Sequence, residues 1–576
     1  FWFLYLPAPA PPSSFSVLGL QPGCLRARMG KVKDDLKKPF ISEDGPLVDN
    51  FQKQESWLMF SMGWPMLVSF FCRMGMASED SAFVGHIDNG GFTPKEYLAA
   101  AGLADMVTNI LIIPPLAFNQ SLNALVSQAM GSGNKKMAGT WLQLSVFWLT
   151  VAYIPCLASF FFVGDMLRVL GFSEHVCALA GAYARWNVFW PIPNGWYQCM
   201  RFYFQAQGNT RPAMYNNIFF LVMNAFLNWL LVFGGPLRHL VGWQGFGFIG
   251  AAMSLSCSRC LQPLFYWLYM FYWKQNHRET WPGLSLDFLK RDRVKTFMDQ
   301  SLPQVGTLIF QAALGQTTTL LIAQLGDLAI AASAAATALT QIFTGGLAAS
   351  LNAVCGIRVG FHLGQGHGNF ARRSAWMVFM FSFYSVSLIA VLLLPFSQTA
   401  VSVMTSDQEV ITLAAQLLPP ILLNTFLGLI VECNTGGVFT SQGRTKLSTF
   451  LSMGVELPLN IGSVAFLVLY LHQGLVAVYW VQAAVSALEM VVVLTIFVRS
   501  DWDACARDAK QRQEVEEAEA KSGGIPSIHS RSSPGSPLKY QSPGLLKTAI
   551  SCEFATALPM EGGGEGSDIT MNIQEC

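Results

Sequence analysis

Ser121-Leu122-Asn123-Ala124-Leu125-Val126, followed by Gly131-Ser132-Gly133-Asn134-Lys135-Lys136, is a stretch that the chain uses twice. It returns as Ser350-Leu351-Asn352-Ala353-Val354-Cys355, followed by Gly364-Gln365-Gly366-His367-Gly368-Asn369 and then Arg372-Arg373. In both copies an apolar run of small residues breaks into a glycine-rich loop with a basic pair. A second landmark also repeats: Gln205-Ala206-Gln207-Gly208-Asn209-Thr210-Arg211 and Thr440-Ser441-Gln442-Gly443-Arg444-Thr445-Lys446. The offsets nearly agree, 369 − 134 = 235 and 443 − 208 = 235, with 350 − 121 = 229 for the Ser-Leu-Asn-Ala pair. Three ordered matches at nearly one offset indicate an internal duplication with a short insertion in the second copy.

Hydrophobic residues make up 52% of the 576 residues and charged residues only 12%, and the mean hydropathy is +0.39. That is too little charge to cover a soluble surface. The net charge of +1 points to no charged partner. The 12 cysteines are scattered through apolar stretches, which argues against a disulfide framework. Cys257 and Cys260 form the one close pair, and helix packing is preferred there to a metal or redox site.

Apolar stretches long enough to cross a bilayer fall at about 57–83, 97–130, 141–163, 177–205, 213–234 and 246–273. Six more fall at about 297–325, 328–362, 375–397, 409–440, 447–470 and 473–499. The expected organisation is a leader foreign to the native protein (1–28) and a cytoplasmic segment (29–56). A first lobe (57–273), a linker (274–296) and a second lobe (297–499) follow. A disordered cytoplasmic tail (500–576), with Ser533-Pro534, Ser536-Pro537 and Ser542-Pro543, ends the chain. The basic connections at Lys135/Lys136, Arg211, Lys274 to Lys295, Arg372/Arg373 and Arg444/Lys446 all fall on one side. The positive-inside rule makes that side, and both termini, cytoplasmic. Six spans per copy is an even number, so the copies share one orientation about an axis along the membrane normal.

Ionisable residues inside the spans are functional candidates, because hydrocarbon penalises charge. They are Arg73, Glu79, Asp80, Asp105, Arg185, Arg201, Arg259, Glu432, Glu456 and Glu489. Arg201 is near the cytoplasmic end and can snorkel. Arg73 stands seven residues from Asp80, so a structural ion pair is an alternative to a transport role for Asp80. Uncharged polar groups also cluster: Asn224 and Asn228 in the fifth span, and Gln304, Gln311 and Gln316 in the seventh. They can bind helices together or line a wet cavity. No His cluster has metal spacing, and the Gly364–Gly368 loop lacks the Gly-Lys-Ser/Thr ending of a phosphate loop. An enzyme is not expected, nor a bound cofactor.

The layout resembles the multidrug and toxic compound extrusion (MATE) family over about residues 55–500. The resemblance is carried by Ala82-Phe83-Val84-Gly85-His86-Ile87, Ser127-Gln128-Ala129-Met130-Gly131, Gln205 through Pro212, Asn224 through Asn228, and Gly436-Gly437 with Ser441-Gln442-Gly443. It implies an all-α membrane protein of twelve transmembrane helices in two six-helix lobes, V-shaped around a central cavity. It also implies alternating access, driven by protons or sodium, that expels organic cations and amphipathic compounds.

In the family, Asp80 matches a first-span aspartate used for cation coupling, and Asn224 and Asn228 match its fifth-span partners. The second-lobe glutamate usual in eukaryotic members is replaced by Gln311, and Gln316 replaces another. Glu432 is the substitute within the second lobe, although it falls on no family motif. Expected roles are therefore ion coupling for Asp80, Asn224, Asn228 and Glu432, and substrate binding for Gln304, Gln311 and Gln316. A lipid or glycan-precursor flippase on a related fold is the alternative, kept open by Arg73, Arg185 and Arg259. The expected protein is a monomer in the plasma or vacuolar membrane. Its partners are the lipid bilayer and a small-molecule substrate, with no nucleic acid.

Overall fold

The structure, a computed structural model, describes residues 48–87, 91–283, 286–405 and 407–521. The leader at 1–28 and the Ser-Pro sites of the tail lie outside the described residues. The described residues through Glu519 form one compact unit; beyond it only Ala520 and Lys521 are described.

The described secondary structure is helical, and twelve long rods follow in order. The first three are Val48–Val84, Pro94–Gly131 and Lys135–Phe160. The fourth is Glu174–Trp186 continued, after a short 3-10 turn, by Pro191–Ala206. The fifth is Arg211–Phe233 and the sixth Phe248–Trp267 with a π-helical end. The seventh to ninth are Arg291–Ala323, Asp327–Gly364 and Gly368–Leu393. The tenth is Gln408–Glu432 with a π-helical continuation, Cys433–Phe439. The eleventh runs from Thr445 to Tyr470 through two π turns, and the twelfth is Leu475–Arg499. Among the described residues nine of these rods are long and apolar enough to cross a membrane; the first, fourth and sixth fall outside that set.

The duplication is visible in the boundaries, in a slightly different register. The second and third rods are displaced onto the eighth and ninth by one constant offset (327 − 94 = 233 and 393 − 160 = 233). Gly133 and Gly366 both take left-handed φ, at +84° and +86°, where a side chain would be strained. They correspond at the same offset. The pairing of Asn134 with Asn369 is therefore off by two residues: Asn134 corresponds to His367, and both cap a helix. Gly208 and Gly443 remain at 235. The 3-10 turn in the fourth rod and the π turn in the tenth alter the residue count per turn between the copies.

Buried side chains gather in three main clusters, and their membership gives the shape. The largest draws on both copies: Leu122, Val126, Trp141 and Tyr203 with Val354, Ile357, Leu363, Val378 and Phe439. The second comes only from the first copy, including Tyr97, Ala100, Ala104, Tyr183, Phe248 and Ala251. The third comes only from the second copy, including Ala332, Ala336, Ala414, Leu417 and Leu475. The lobes thus share a core at one end and keep separate cores at the other, which is a V. The joined end carries the glycine loops and their basic residues. Backbones touch there: a Cβ on Gly131 would lie 2.1 Å from the Phe361 carbonyl oxygen, and one on Gly364 2.2 Å from that of Gln128.

Two expected boundaries are corrected. The first helix begins at Val48, inside the segment expected to precede the membrane. The tail expected to be disordered from Ser500 opens with a helix, Trp502–Lys521. Trp502, Cys505, Ala506 and Ala509 are buried in the shared core, and the Trp502 indole donates to the Phe497 carbonyl at 3.2 Å. The apolar residues among the charges of this run form a stripe that docks it. Trp502→Ala should therefore cost about 3–5 kcal/mol, read as a lower Tm in detergent. An unchanged Tm would mean that the helix adds nothing to the fold.

Candidate coupling and substrate sites

Asp80 lies near the end of the first rod and is only 7% exposed. Asn224 and Asn228 are one turn apart on the fifth rod, so their side chains stack on one face. Both amides donate to Asp80 Oδ1, at 2.8 and 2.7 Å. Ser258 of the sixth rod donates to Asn224 Oδ1 at 2.8 Å, which orients that amide toward the carboxylate. Asn228 Oδ1 is buried with no partner. The three residues singled out in the sequence are thus one assembly from two rods, fixed by a third. The alternative pairing of Asp80 with Arg73 is not found: no ion pair joins them among the described residues. Arg201 Nε donates to Gln198 Oε1 at 2.9 Å.

In the second lobe Glu432 accepts weakly from Asn352 Nδ2, at 3.4 Å. Glu456 lies on the eleventh rod and Glu489 on the twelfth. Glu489 is 3% exposed and its Oε1 lacks a partner. The twelfth rod packs against the tenth and the eleventh, so three carboxylates that the sequence shows only singly lie on neighbouring rods.

Gln304, Gln311 and Gln316 lie on the seventh rod, which packs between the second and eleventh rods. Gln304 is half-buried with an unpartnered Oε1, whereas Gln311 and Gln316 are exposed. Its packing on the second rod, which belongs to the first lobe, sets it at the seam between the lobes. Among the described residues no group of His, Cys, Asp and Glu could hold a metal ion.

One site escaped the sequence reading. Arg358 of the eighth rod holds Glu55 of the first rod with both ends of its fork: Nε to Oε1 at 2.8 Å and Nη2 to Oε2 at 2.7 Å. His362 Nε2 lies 3.2 Å from Glu55 Oε1, and Ser374 Oγ donates to the same oxygen at 2.9 Å. Glu55 and Arg358 are 3% and 2% exposed. Ser121 and Ser301 share a second contact across the lobes, a 2.6 Å hydrogen bond. Arg358 and His362 stand inside an apolar run, Cys355 to Leu363, and that signal was available.

Two helical lobes joined at one end, with polar groups buried inside each arm, define an integral multi-pass membrane transporter. The MatE family model matches residues 65–230 and 303–464, and the chain belongs to that family. It is similar to Protein DETOXIFICATION 16 of Arabidopsis thaliana, 25% identical over 83% of this chain and 94% of that protein. It is also similar to multidrug and toxin extrusion protein 2 of Mus musculus, 24% identical over 80% of this chain and 77% of that one. Its fold matches the crystal structure of the eukaryotic MATE transporter AtDTX14 with a TM-score of 0.67, at 20% identity, over 80% of this chain and 99% of the other.

Proposed function

We propose that the protein expels organic cations or amphipathic compounds in exchange for protons or sodium, by alternating access of the cleft between its lobes. The observation that carries this reading is the buried carboxylate of Asp80 in its amide cradle. The Asp80 carboxylate supplies the negative charge that a small cation needs, and the unpartnered Asn228 Oδ1 supplies a neutral oxygen from a second helix. A proton on Asp80 would serve the same site, because a carboxyl in a low-dielectric lobe binds and releases protons reversibly. Glu432, Glu456 and Glu489 supply carboxylates in the lobe where Gln311 cannot carry a proton. Gln304, Gln311 and Gln316 are the proposed substrate contacts of the seventh rod. The multidrug and toxin extrusion names of the relatives support the substrate class.

The deciding experiment is efflux from proteoliposomes under an imposed proton or sodium gradient, with a cationic dye and a labelled lipid in parallel. Dye efflux that follows the gradient supports the reading. Lipid movement without dye efflux overturns it.

The basic end is proposed to face the cytoplasm of a plasma or vacuolar membrane. Single cysteines at Lys135, Arg211, Arg372 and Arg444 should resist an impermeant reagent added outside intact cells that hold the protein at their surface. Strong labelling at two of the four would reverse the orientation.

A further inference from the structure

The helix Trp502–Lys521 lies across two loops of the second lobe that also meet the first lobe. One joins the eighth rod to the ninth through Gly366, and the other joins the tenth to the eleventh through Gly443. Gln128 of the second rod, in the first lobe, touches both. A Cβ on Gly364 would lie 2.2 Å from the Gln128 carbonyl oxygen, and Gln128 Nε2 donates to the Ser441 carbonyl. Gln128 is buried, so the ends of the two loops form its socket.

The helix backs the same two loops. A Cβ on Gly368 would lie 2.5 Å from the Trp502 carbonyl oxygen, and one on Gly366 3.3 Å from Lys510 Cδ. One on Gly443 would lie 2.9 Å from Arg512 Nη1. Arg444, next to Gly443, donates from Nη1 to Ser500 Oγ at 3.1 Å, at the joint between the twelfth rod and the helix. Trp502 packs on Phe497 with ring centroids 5.1 Å apart, and Ala506 and Ala509 are buried beneath the helix. From Trp502 to Arg512 is about 15 Å of stiff helix. While it is docked, it fixes the distance between the loops.

Opening the joined end requires Gln128 to leave both loops. A docked helix and a filled socket therefore share one requirement, the spacing of the loops, and each favours the other. We infer that the helix Trp502–Lys521 is a strap: it holds the two loops at the spacing that seats Gln128, and so restrains opening of the joined end. Its purpose rests on the transporter reading, but its action on the lobes can be measured without substrate or gradient.

The full chain is reconstituted in liposomes with cysteines at Ser121 and Ser301, which report a closed end. Ala506→Glu combined with Ala509→Glu puts charge on the docked face and should release the helix. Cross-linking should then slow by about fivefold or more, whereas Arg507→Gln, on an exposed residue, should cross-link as the wild type does. The reverse coupling is read with the helix sequence intact. Gly364→Leu wedges the socket, because its side chain cannot share space with the Gln128 carbonyl. Hydrogen exchange of the amides from Cys505 to Gln513 should then speed up by about fivefold or more. A helix that only stabilises the second lobe would lower Tm when released and leave both readouts unchanged.

Both shifts together support the strap. Wild-type cross-linking after release, or wild-type exchange in the wedged protein, overturns it. If the double variant does not fold, the wedged protein decides alone: faster exchange supports the strap and unchanged exchange overturns it. A failed transporter reading would appear separately, as absent dye efflux with both shifts intact.

Discussion

Arg358→Met should open the joined end of the V. The substitution keeps the length of the side chain but leaves Glu55 buried without its fork. Removing one partner of a buried ion pair costs about 3–5 kcal/mol, because the other charge stays in low dielectric. Glu55 belongs to the first lobe and Arg358 to the second, so the pair exists only while the lobes are closed at this end. The cost therefore falls on that state alone, and the equilibrium shifts away from it by roughly a hundredfold to a few thousandfold. His362 and Ser374 hold the same carboxylate oxygen but cannot replace a two-pronged contact. The shift can be read with cysteines at Ser121 and Ser301, whose hydroxyls meet across the lobes. Their cross-linking yield should be high in an otherwise wild-type background and fall sharply with Arg358→Met. Glu55→Gln combined with Arg358→Met should recover much of it, because no naked charge remains. Unchanged cross-linking in the single variant would show that the apolar core alone holds the end shut.

The parts that were legible in the sequence are those that local pattern controls. Apolar length marks the rods, and the doubled glycine loops mark the duplication. Asn224 and Asn228 could be placed on one face because their spacing is one helical turn. Pairing between rods is less legible. Spacing of seven put Arg73 and Asp80 within reach of one another on the first rod, yet amides of the fifth rod hold Asp80. The pairing of Glu55 with Arg358 joins residues 303 apart, and no local period encodes it. Glu55 was also assigned to the polar segment because helix starts are poorly marked by hydropathy alone. The run from Trp502 was read by its charge, although Trp502, Cys505, Ala506 and Ala509 mark the buried stripe. The three glutamates of the second lobe were visible one by one, and only packing of the tenth to twelfth rods sets their rods side by side.

Asp80→Asn should leave the protein folded and abolish gradient-driven efflux. The side chains are nearly the same size, and an asparagine Oδ1 can still accept from Asn224 and Asn228. Either amide orientation keeps those two hydrogen bonds or places its NH2 near Asn228 Oδ1, which now lacks a partner. The fold cost is therefore about 1 kcal/mol, the worth of a weakened charge-assisted bond. The functional cost is much larger. An amide neither takes up a proton near neutral pH nor offers the full negative charge that draws sodium out of water. Efflux of a cationic dye from proteoliposomes should fall to the level seen without a gradient, while Tm moves by only a few degrees. Asp80→Glu keeps the charge and should retain part of the activity. Glu432→Gln is the informative comparison, because Glu432 is the second-lobe carboxylate that accepts from an amide of a neighbouring rod, Asn352. If Asp80→Asn transports normally and Glu432→Gln does not, coupling belongs to the second lobe. If both fail, each lobe carries part of the coupling, and Gln311→Glu should then alter the pH dependence of efflux by adding a titrating group on the rod at the seam between the lobes. The ion-pair alternative has its own signature: Asp80→Asn would misfold, and Arg73→Met would rescue it. The geometry argues against that outcome, since the groups that hold Asp80 are amides on the fifth rod and not the guanidinium on its own.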